Sequence, residues 1–286
     1  MAFADLHLHT HFSDGTFSPC ELAERAQTAG LSAIALTDHD TLEGCPAVAT
    51  ECKARGLEFI VGTELTAEHL DHEVHILGYD LDASSVRLQN VMRACQAVRE
   101  TRIHTMVERL NEKGIPLQLD HVLSIANCKS PGRPHVARAL VEKGFCKDFD
   151  DAFDRFLKKG KPAWIPKARM SALDAIQLIH EAHGTAILAH PGLYNADFLI
   201  PDLAKLGLDG LECWHSKHTA NTSARYCHLA HELDLVTTGG SDCHGLSKGK
   251  PLIGTVRLPY HHVETLRTRL NTRRRRSIAI EKLSSP

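Results

Sequence analysis

Short apolar runs that end in a metal-ligand type of residue recur along this chain, and they restrict its fold more than any other feature. The first is Asp5-Leu6-His7-Leu8-His9-Thr10. His7 and His9 alternate with leucines as in a β-strand, and side chains two apart on a strand share a face. Both imidazoles therefore project the same way, and neutral imidazole is the commonest metal ligand. Thr37-Asp38-His39-Asp40, Gly62-Thr63-Glu64, His75, Ala189-His190-Pro191 and Gly240-Ser241-Asp242-Cys243-His244 repeat the pattern. The arrangement points to several metal ions held at one end of a set of strands.

The intervening segments supply such a fold. Ala4–His9 reads as a strand, Ser18-Pro19 as the N-cap and first position of a helix from Glu21 to Ala29, and Gly30 as its end. Ala33–Thr37 is a second strand, Leu42 to Arg55 a second helix closed by Gly56, and Glu58–Leu65 and Glu73–Gly78 are further strands. This alternation predicts a parallel α/β sheet or barrel. From about Ser84 the pattern becomes helical through Val86–Lys113, Leu119–Ala126, Pro134–Lys143 and Phe149–Lys158. Alternation resumes with helices over Ser171–Ala182, Ala196–Leu206 and Asn221–Glu232 and strands over Thr185–Ala189, Gly210–Trp214 and Leu235–Ser241. The domain reading is a discontinuous α/β unit, residues 1–84 and 161–286, interrupted by a helical insertion over 85–160. Ligands in such folds sit at the carboxyl ends of the strands, and each candidate residue falls late in, or just after, a strand.

Composition narrows the class. The 286 residues suffice for a substantial core, and 43% hydrophobic with 24% charged residues is ordinary for a soluble globular protein. Lysine plus arginine less aspartate plus glutamate gives 33 − 35 = −2, so no overall basic field recruits nucleic acid or anionic membrane. No run of about 18 apolar residues predicts a membrane span, and the N-terminal residues do not read as a secretory signal. Nine cysteines without C-x-x-C spacing predict packed, reduced thiols and a cytoplasmic location. The 20 histidines are a surplus suited to imidazole-rich metal chemistry.

In their joint order, HLHTHFSDG (from His7), TDHD, GTE, HILGY, AHPG and GSDCH resemble the PHP (polymerase and histidinol phosphatase) family of metal-dependent phosphoesterases. The resemblance spans almost the whole chain. Within the insertion, Ser130-Pro131-Gly132-Arg133-Pro134-His135 resembles the branch that dephosphorylates nucleoside 3′,5′-bisphosphates or degrades short RNA from its 5′ end. The resemblance implies a distorted (β/α)7 barrel, the PHP fold, and three divalent metal ions, manganese first, with iron or zinc as alternatives. By matching positions it gives His7, His9, Glu64 and Asp242 to one ion and Asp14, His39 and His244 to another. His75 and His190 hold a third, with Glu64 bridging. Mixed imidazole and carboxylate ligation does not by itself choose the metal. The chemistry suits the residues. A phosphate ester repels hydroxide, whereas clustered cations neutralise its charge, acidify a bridging water and clamp the attacking and leaving oxygens. Asp242 is counted among the catalytic residues on this reading.

Substrate contacts are expected from Arg133 and His135 at a helix start, where a guanidinium can fork onto two phosphate oxygens and backbone donors add to it. Gly160-Lys161-Pro162 matches another family element and makes Lys161 a phosphate candidate, with Lys159 and Lys167 as weaker neighbours. His218 matches a histidine near the reacting phosphate in this branch, so it is expected to protonate the leaving oxygen or bind phosphate. His215 and Lys217 depart from the relatives, which carry small or polar residues there. Trp164 reads as a packed aromatic, Tyr194 and Asn195 as candidates for the mouth, and Arg273–Arg276 as a solvated tail, with RNA steering as its alternative. The expected activity is removal of the 3′-phosphate from nucleoside 3′,5′-bisphosphates, pAp to AMP, extending to short 5′-phosphorylated RNA. Neither a membrane nor an obligate protein partner is expected. The alternatives are a histidinol-phosphate-type phosphatase and an amidohydrolase-type C–N hydrolase. The latter family also opens with H-x-H but usually carries a bridging carboxylated lysine where Glu64 stands.

Overall fold

The computed structural model describes residues 1–166, 170–194, 196–247 and 249–284, with side chains through Arg275. Lys167, Asn195 and the side chain of Arg276 lie outside them. Seven strands follow one another around a nearly closed barrel: β1 (Phe3–Leu8), β2 (Ala33–Leu36), β3 (Glu58–His69), β4 (His72–Tyr79), β6 (Thr185–Leu188), β7 (Gly210–His215) and β8 (Val236–Gly240). Two short strands extend the sheet, β5 (Met170–Ser171) beside β3 and β9 (Leu258–Pro259) beside the start of β1. Closure occurs at one end, where Leu8 bridges Cys243 and the Asp242 amide donates to the His7 carbonyl at 2.9 Å. A Cβ on Gly240 would lie 2.3 Å from that of His7, so only glycine permits this approach.

β4 departs from the all-parallel barrel that the alternation predicts, running antiparallel to both β3 and β6. Only Leu70 and Asp71 link it to β3, too few residues for a parallel crossover. Both take left-handed backbone, φ 48° and 62°, which a tight two-residue hairpin requires. The inversion has a consequence for the site. His75, early in its own strand, reaches the same barrel end as residues late in the parallel strands.

The outer layer is α1 (Pro19–Thr28), α2 (Cys45–Ala54), α7 (Ala172–Glu181), α8 (Ile200–Lys205), α9 (Ala220–Glu232) and α10 (His261–Ser284). Ser18 and Glu21 form a capping box at α1, and Gly30 follows its end with φ +70°. Ile60, Leu77 and Tyr79 share Glu64's face of the sheet by alternation and pairing, and all are fully buried. Of the described arginines in the run, Arg274 and Arg275 are exposed and Arg273 is half-buried against the barrel. Arg273, on α10, is bonded to Asp209 and the Gly184 carbonyl, and Arg274 donates to the His183 carbonyl at 3.0 Å. These anchors lie at the starts of β6 and β7, opposite the ligand cluster, because the helix register sets Arg273 against a carboxylate distant in sequence.

Between β4 and β5 the chain is helical: α3 (Val86–Glu112), α4 (Leu119–Ala126), α5 (Arg133–Glu142) and α6 (Phe149–Ala152), which passes into a π-turn over Phe153–Leu157. Ile103, Met106, Leu110, Val136, Leu140 and Leu157 form a core of its own. The first half of α3 instead sends Leu88 and Met92 into the barrel's cluster. Polar clamps join the two parts. The Arg99 guanidinium lies 2.6 Å from Asp40 Oδ2 in a nearly dry setting, the side chains 9% and 4% exposed. Ser130 Oγ donates to the His39 carbonyl at 2.5 Å, and Arg138 donates to the Asp14 carbonyl at 2.5 Å and Ser247 Oγ at 2.6 Å.

Removing one partner of a buried pair leaves the other charge unpaired, which costs about 3–5 kcal/mol. Arg99→Met is therefore expected to lower thermal stability by roughly that amount. Arg99→Met with Asp40→Asn should lose less than the single change; equal or greater loss in the double variant would remove the pair as the cause.

Candidate metal centre

Glu64, late in β3 and 1% exposed, is where the candidate ligands meet. Its Oε2 lies 3.4 Å from His7 Nε2, 3.4 Å from His9 Nε2 and 3.0 Å from His39 Nδ1. Its Oε1 lies 2.7 Å from His75 Nδ1 and 2.9 Å from His190 Nε2. Thr66 pairs with His75 across the hairpin and Glu64 with Leu77, so Glu64 and His75 are diagonal neighbours on one face. Asp242 completes the group, its Oδ1 lying 3.4 Å from His7 Nε2 and 3.2 Å from His9 Nε2. Beside it, Asp14 Oδ1 is 3.2 Å from His244 Nε2 and 3.7 Å from His39 Nε2.

These separations fit cations better than a closed hydrogen-bond network. Ligand atoms about 2.0–2.1 Å from a tetrahedral ion are about 3.3–3.4 Å apart, and His7 of β1 and His9 just after it stand 3.2–3.4 Å from both carboxylates. His7 Nε2, His9 Nε2, Asp14 Oδ1, His39 Nδ1 and Glu64 Oε2 are buried without a hydrogen-bond partner, an arrangement that is costly unless something else satisfies them. Burial alone would raise Asp14, Glu64 and Asp242, but the facing imidazoles outweigh it and hold all three well below the usual carboxylate range. Burial pulls His9, His39 and His190 down and keeps them neutral. It would pull His7 down too, but Glu212, Glu64 and Asp242 raise it well above the ordinary histidine value. Carboxylates held low beside imidazoles, three of them pulled down by burial, are a donor set suited to a divalent cation.

The structure brings the nine residues named from sequence into four overlapping groups: His9, Asp14, His39 and His244; His7, Glu64 and His190; His7, His9 and Asp242; and His39, Glu64 and His75. His9 and His39 each belong to two groups, so the distances allow more than the single partition that matching gives.

Of the substrate candidates, Arg133 lines a cleft of about 330 Å³ that opens onto Asp14, His39, His75 and His244. Its guanidinium lies over the Phe153 ring at 5.6 Å. His135 is directed elsewhere. At the third position of α5 it looks back to its own cap, where Nδ1 accepts from the Gly132 amide at 3.0 Å. Lys161 is exposed and is not among the residues lining the cleft. Its turn, closed by the Lys161 amide on the Lys158 carbonyl at 3.0 Å, brings Lys158 to the cleft instead. His218 uses both nitrogens on backbone: Nδ1 donates to the Cys213 carbonyl at 2.9 Å and Nε2 accepts from the Gly192 amide at 3.2 Å. Tyr194 accepts from the His75 amide at 3.0 Å. Sequence reasoning passed over Glu212, fully buried within Gly210–His215. A lone charged residue in an apolar strand was the available signal.

Residues 5–159 match the PHP domain. The chain belongs to the PHP family. It is 35% identical over 248 residues to a 5′-3′ exoribonuclease of Haemophilus influenzae, covering 84% of this chain and 89% of that protein. Its identity to a 3′,5′-nucleoside bisphosphate phosphatase of Chromobacterium violaceum is 32% over 262 residues, 89% and 91% of the two. A solved structure from Bifidobacterium adolescentis, described as a metal-dependent phosphoesterase, superposes with a TM-score of 0.87 at 33% identity, covering 94% and 96%. This PHP protein is thus a metal-dependent phosphoric ester hydrolase. Among its described residues no helix is long and apolar enough to cross a membrane.

Burial moves the His135 ring of this PHP protein down to about 4, below its value in an unfolded chain, about 6.5. Between these values the unfolded state binds more protons, so stability falls as pH drops through that window. His135→Asn should therefore lose less melting temperature than the wild type between pH 7 and pH 5. An unchanged acid dependence would remove His135 as a contributor.

Proposed function

We propose that this phosphoesterase removes the 3′-phosphate of nucleoside 3′,5′-bisphosphates, with short 5′-phosphorylated RNA as a second substrate class. The observation that carries the reading is the composition of the cleft that opens onto the ligand candidates. The cleft is lined by the ligand candidates Asp14, His39, His75 and His244, by the cations Arg133 and Lys158, and by Phe149 and Phe153, with Glu73 and Asp150 also on its lining. The two phenyl rings are 4.9 Å apart at 33° and both are half-buried. A reacting phosphate, a second phosphate and a base need these three kinds of surface in one cleft, and about 330 Å³ falls within the usual range for a small-molecule site.

On this reading His7, His9, Glu64 and Asp242 hold one divalent ion, Asp14, His39 and His244 a second, and His75 and His190 with Glu64 a third, manganese being the first choice. Bound there, such ions neutralise phosphate charge and acidify a water. The chain's own groups do the rest. Arg133, stacked on Phe153, presents donors to the non-reacting phosphate, and Phe149 supplies an apolar face to the base. His218, with its proton on Nδ1, holds the turn after His190 rather than donating to the leaving oxygen. The reaction proceeds in the cytoplasm without an obligate protein partner.

Phosphate release in Mn²⁺ is expected to be faster from adenosine 3′,5′-bisphosphate than from histidinol phosphate, leaving AMP. Faster turnover of histidinol phosphate would overturn the substrate class, and a preference for 5′-phosphorylated oligoribonucleotides would make RNA the principal substrate. Asp242→Asn should lose bound metal and rate together, by roughly 100-fold or more; near-normal turnover would sink the ligand assignment. Phe149→Leu should weaken binding of the bisphosphate by about 1–3 kcal/mol. Hydrolysis of a small ester without a base should stay within about twofold if stacking is what is lost.

A further inference from the structure

β7 supplies none of the nine ligand-type residues, although it lies between β6, which leads into His190, and β8, which leads into Asp242. Its pairing with β8 shifts register between Glu212 and Trp214. In a regular strand, residues three apart face opposite sides of the sheet. The extra residue of a bulge re-aims the chain, so Glu212 and His215 both turn toward the centre, 0% and 4% exposed.

Each then meets ligand candidates. Glu212 Oε1 lies 3.0 Å from His7 Nδ1, and Oε2 accepts from the His190 backbone amide at 2.7 Å. The first contact places a proton on Nδ1 and turns Nε2 toward Glu64 and Asp242. The second fixes a residue with left-handed backbone, φ 29° and ψ 55°, a conformation a histidine keeps only when its surroundings hold it. His215 Nδ1 accepts from the Lys217 amide at 3.1 Å, so the proton of the neutral ring is on Nε2. That nitrogen is buried and faces Asp242 Oδ2 at 3.4 Å. Asp242 Oδ1 is the oxygen that faces His7 and His9.

We propose that β7 is the positioning strand of the metal centre: Glu212 sets the tautomer of His7 and the backbone of His190, and His215 orients the Asp242 carboxylate. The proposal rests on the metal reading above. Both residues act through ligands and touch no substrate. Outer partners of this kind orient ligand rings and raise their basicity, and their loss costs about 10–100-fold in metal affinity.

The test is titration of the metal-stripped, full-length protein with Mn²⁺, following free hexaaqua Mn²⁺ by electron paramagnetic resonance. Glu212→Gln, which keeps shape but offers a donor where an acceptor is needed, should bind about 10–100-fold more weakly than wild type. His215→Phe, which keeps a ring without the N–H, should weaken binding likewise. His215→Gln, whose amide nitrogen reaches the Nε2 position, should recover much of it. Melting curves in EDTA should be close to wild type for the Gln variants, showing that the apo fold survives. Superimposable Mn²⁺ isotherms would overturn the proposal. So would equal losses in His215→Phe and His215→Gln, or losses tracked by a matching collapse of the EDTA melting temperature, since those residues would then serve only the fold. A wild type that binds no Mn²⁺ would instead overturn the metal reading itself.

Discussion

A buried carboxylate facing five imidazoles, Glu64 against His7, His9, His39, His75 and His190, is the interaction around which the rest of the molecule is arranged. A lone carboxylate at 1% exposure would neutralise itself by taking a proton. Desolvation pushes Glu64 up, but the facing imidazoles of His39, His75 and His7 and the hydrogen bond to His190 outweigh it and hold the carboxyl well below its usual range. Those neighbours come from β1, β4 and the turns that follow β1, β2 and β6, so only a barrel closed at this end can deliver them together. Closure at Leu8–Cys243 and the glycine at position 240 are therefore requirements of the site as much as of the fold.

Three residues at the same end depart from regular backbone geometry. Asp40, His190 and Asp242 all have left-handed φ, at 50°, 29° and 54°. Each is fixed by contacts from elsewhere in the chain: Asp40 by Arg99, His190 by Glu212, and Asp242 through its amide to His7. Strained residues persist where surrounding structure over-determines them, and here that structure is the neighbouring strand or the insertion.

How much of this was legible follows from the range of the interactions. His7 and His9 could be read because a two-residue period is local, and Ser18 because a cap is specified within four residues. The fold class could be read from alternation, and the ligand types from their place at the ends of apolar runs. The inversion of β4 was harder, since Leu70-Asp71 lacks the Asn-Gly or Gly-Gly signal of a tight hairpin. Glu212 and His215 were hidden because the bulge that aligns them is set by pairing with β8. Arg273 was misread because its acceptor, Asp209, lies 64 positions away. His135 and Lys161 looked suitable by neighbourhood, but a cap and a turn, both short-range devices, point them away from the cleft.

The insertion does more than roof the cleft. Its polar clamps fall on the turns that carry ligand candidates: Ser130 on the His39 carbonyl, Arg138 on the Asp14 carbonyl, Cys128 on the Ser13 carbonyl at 3.2 Å. The same segment supplies Arg133 and the Phe149–Phe153 pair to the cleft wall. A displacement of the insertion that improves or worsens the fit of a nucleotide must therefore move Asp14 and His39 as well, because hydrogen bonds of 2.5 Å leave little slack. The insertion reaches the barrel's strands as well, Arg99 donating to Thr66 Oγ1 on β3 at 3.3 Å. Asp14 and His39 are thus the ligand candidates whose backbone the insertion holds directly, by way of Arg138 and Ser130.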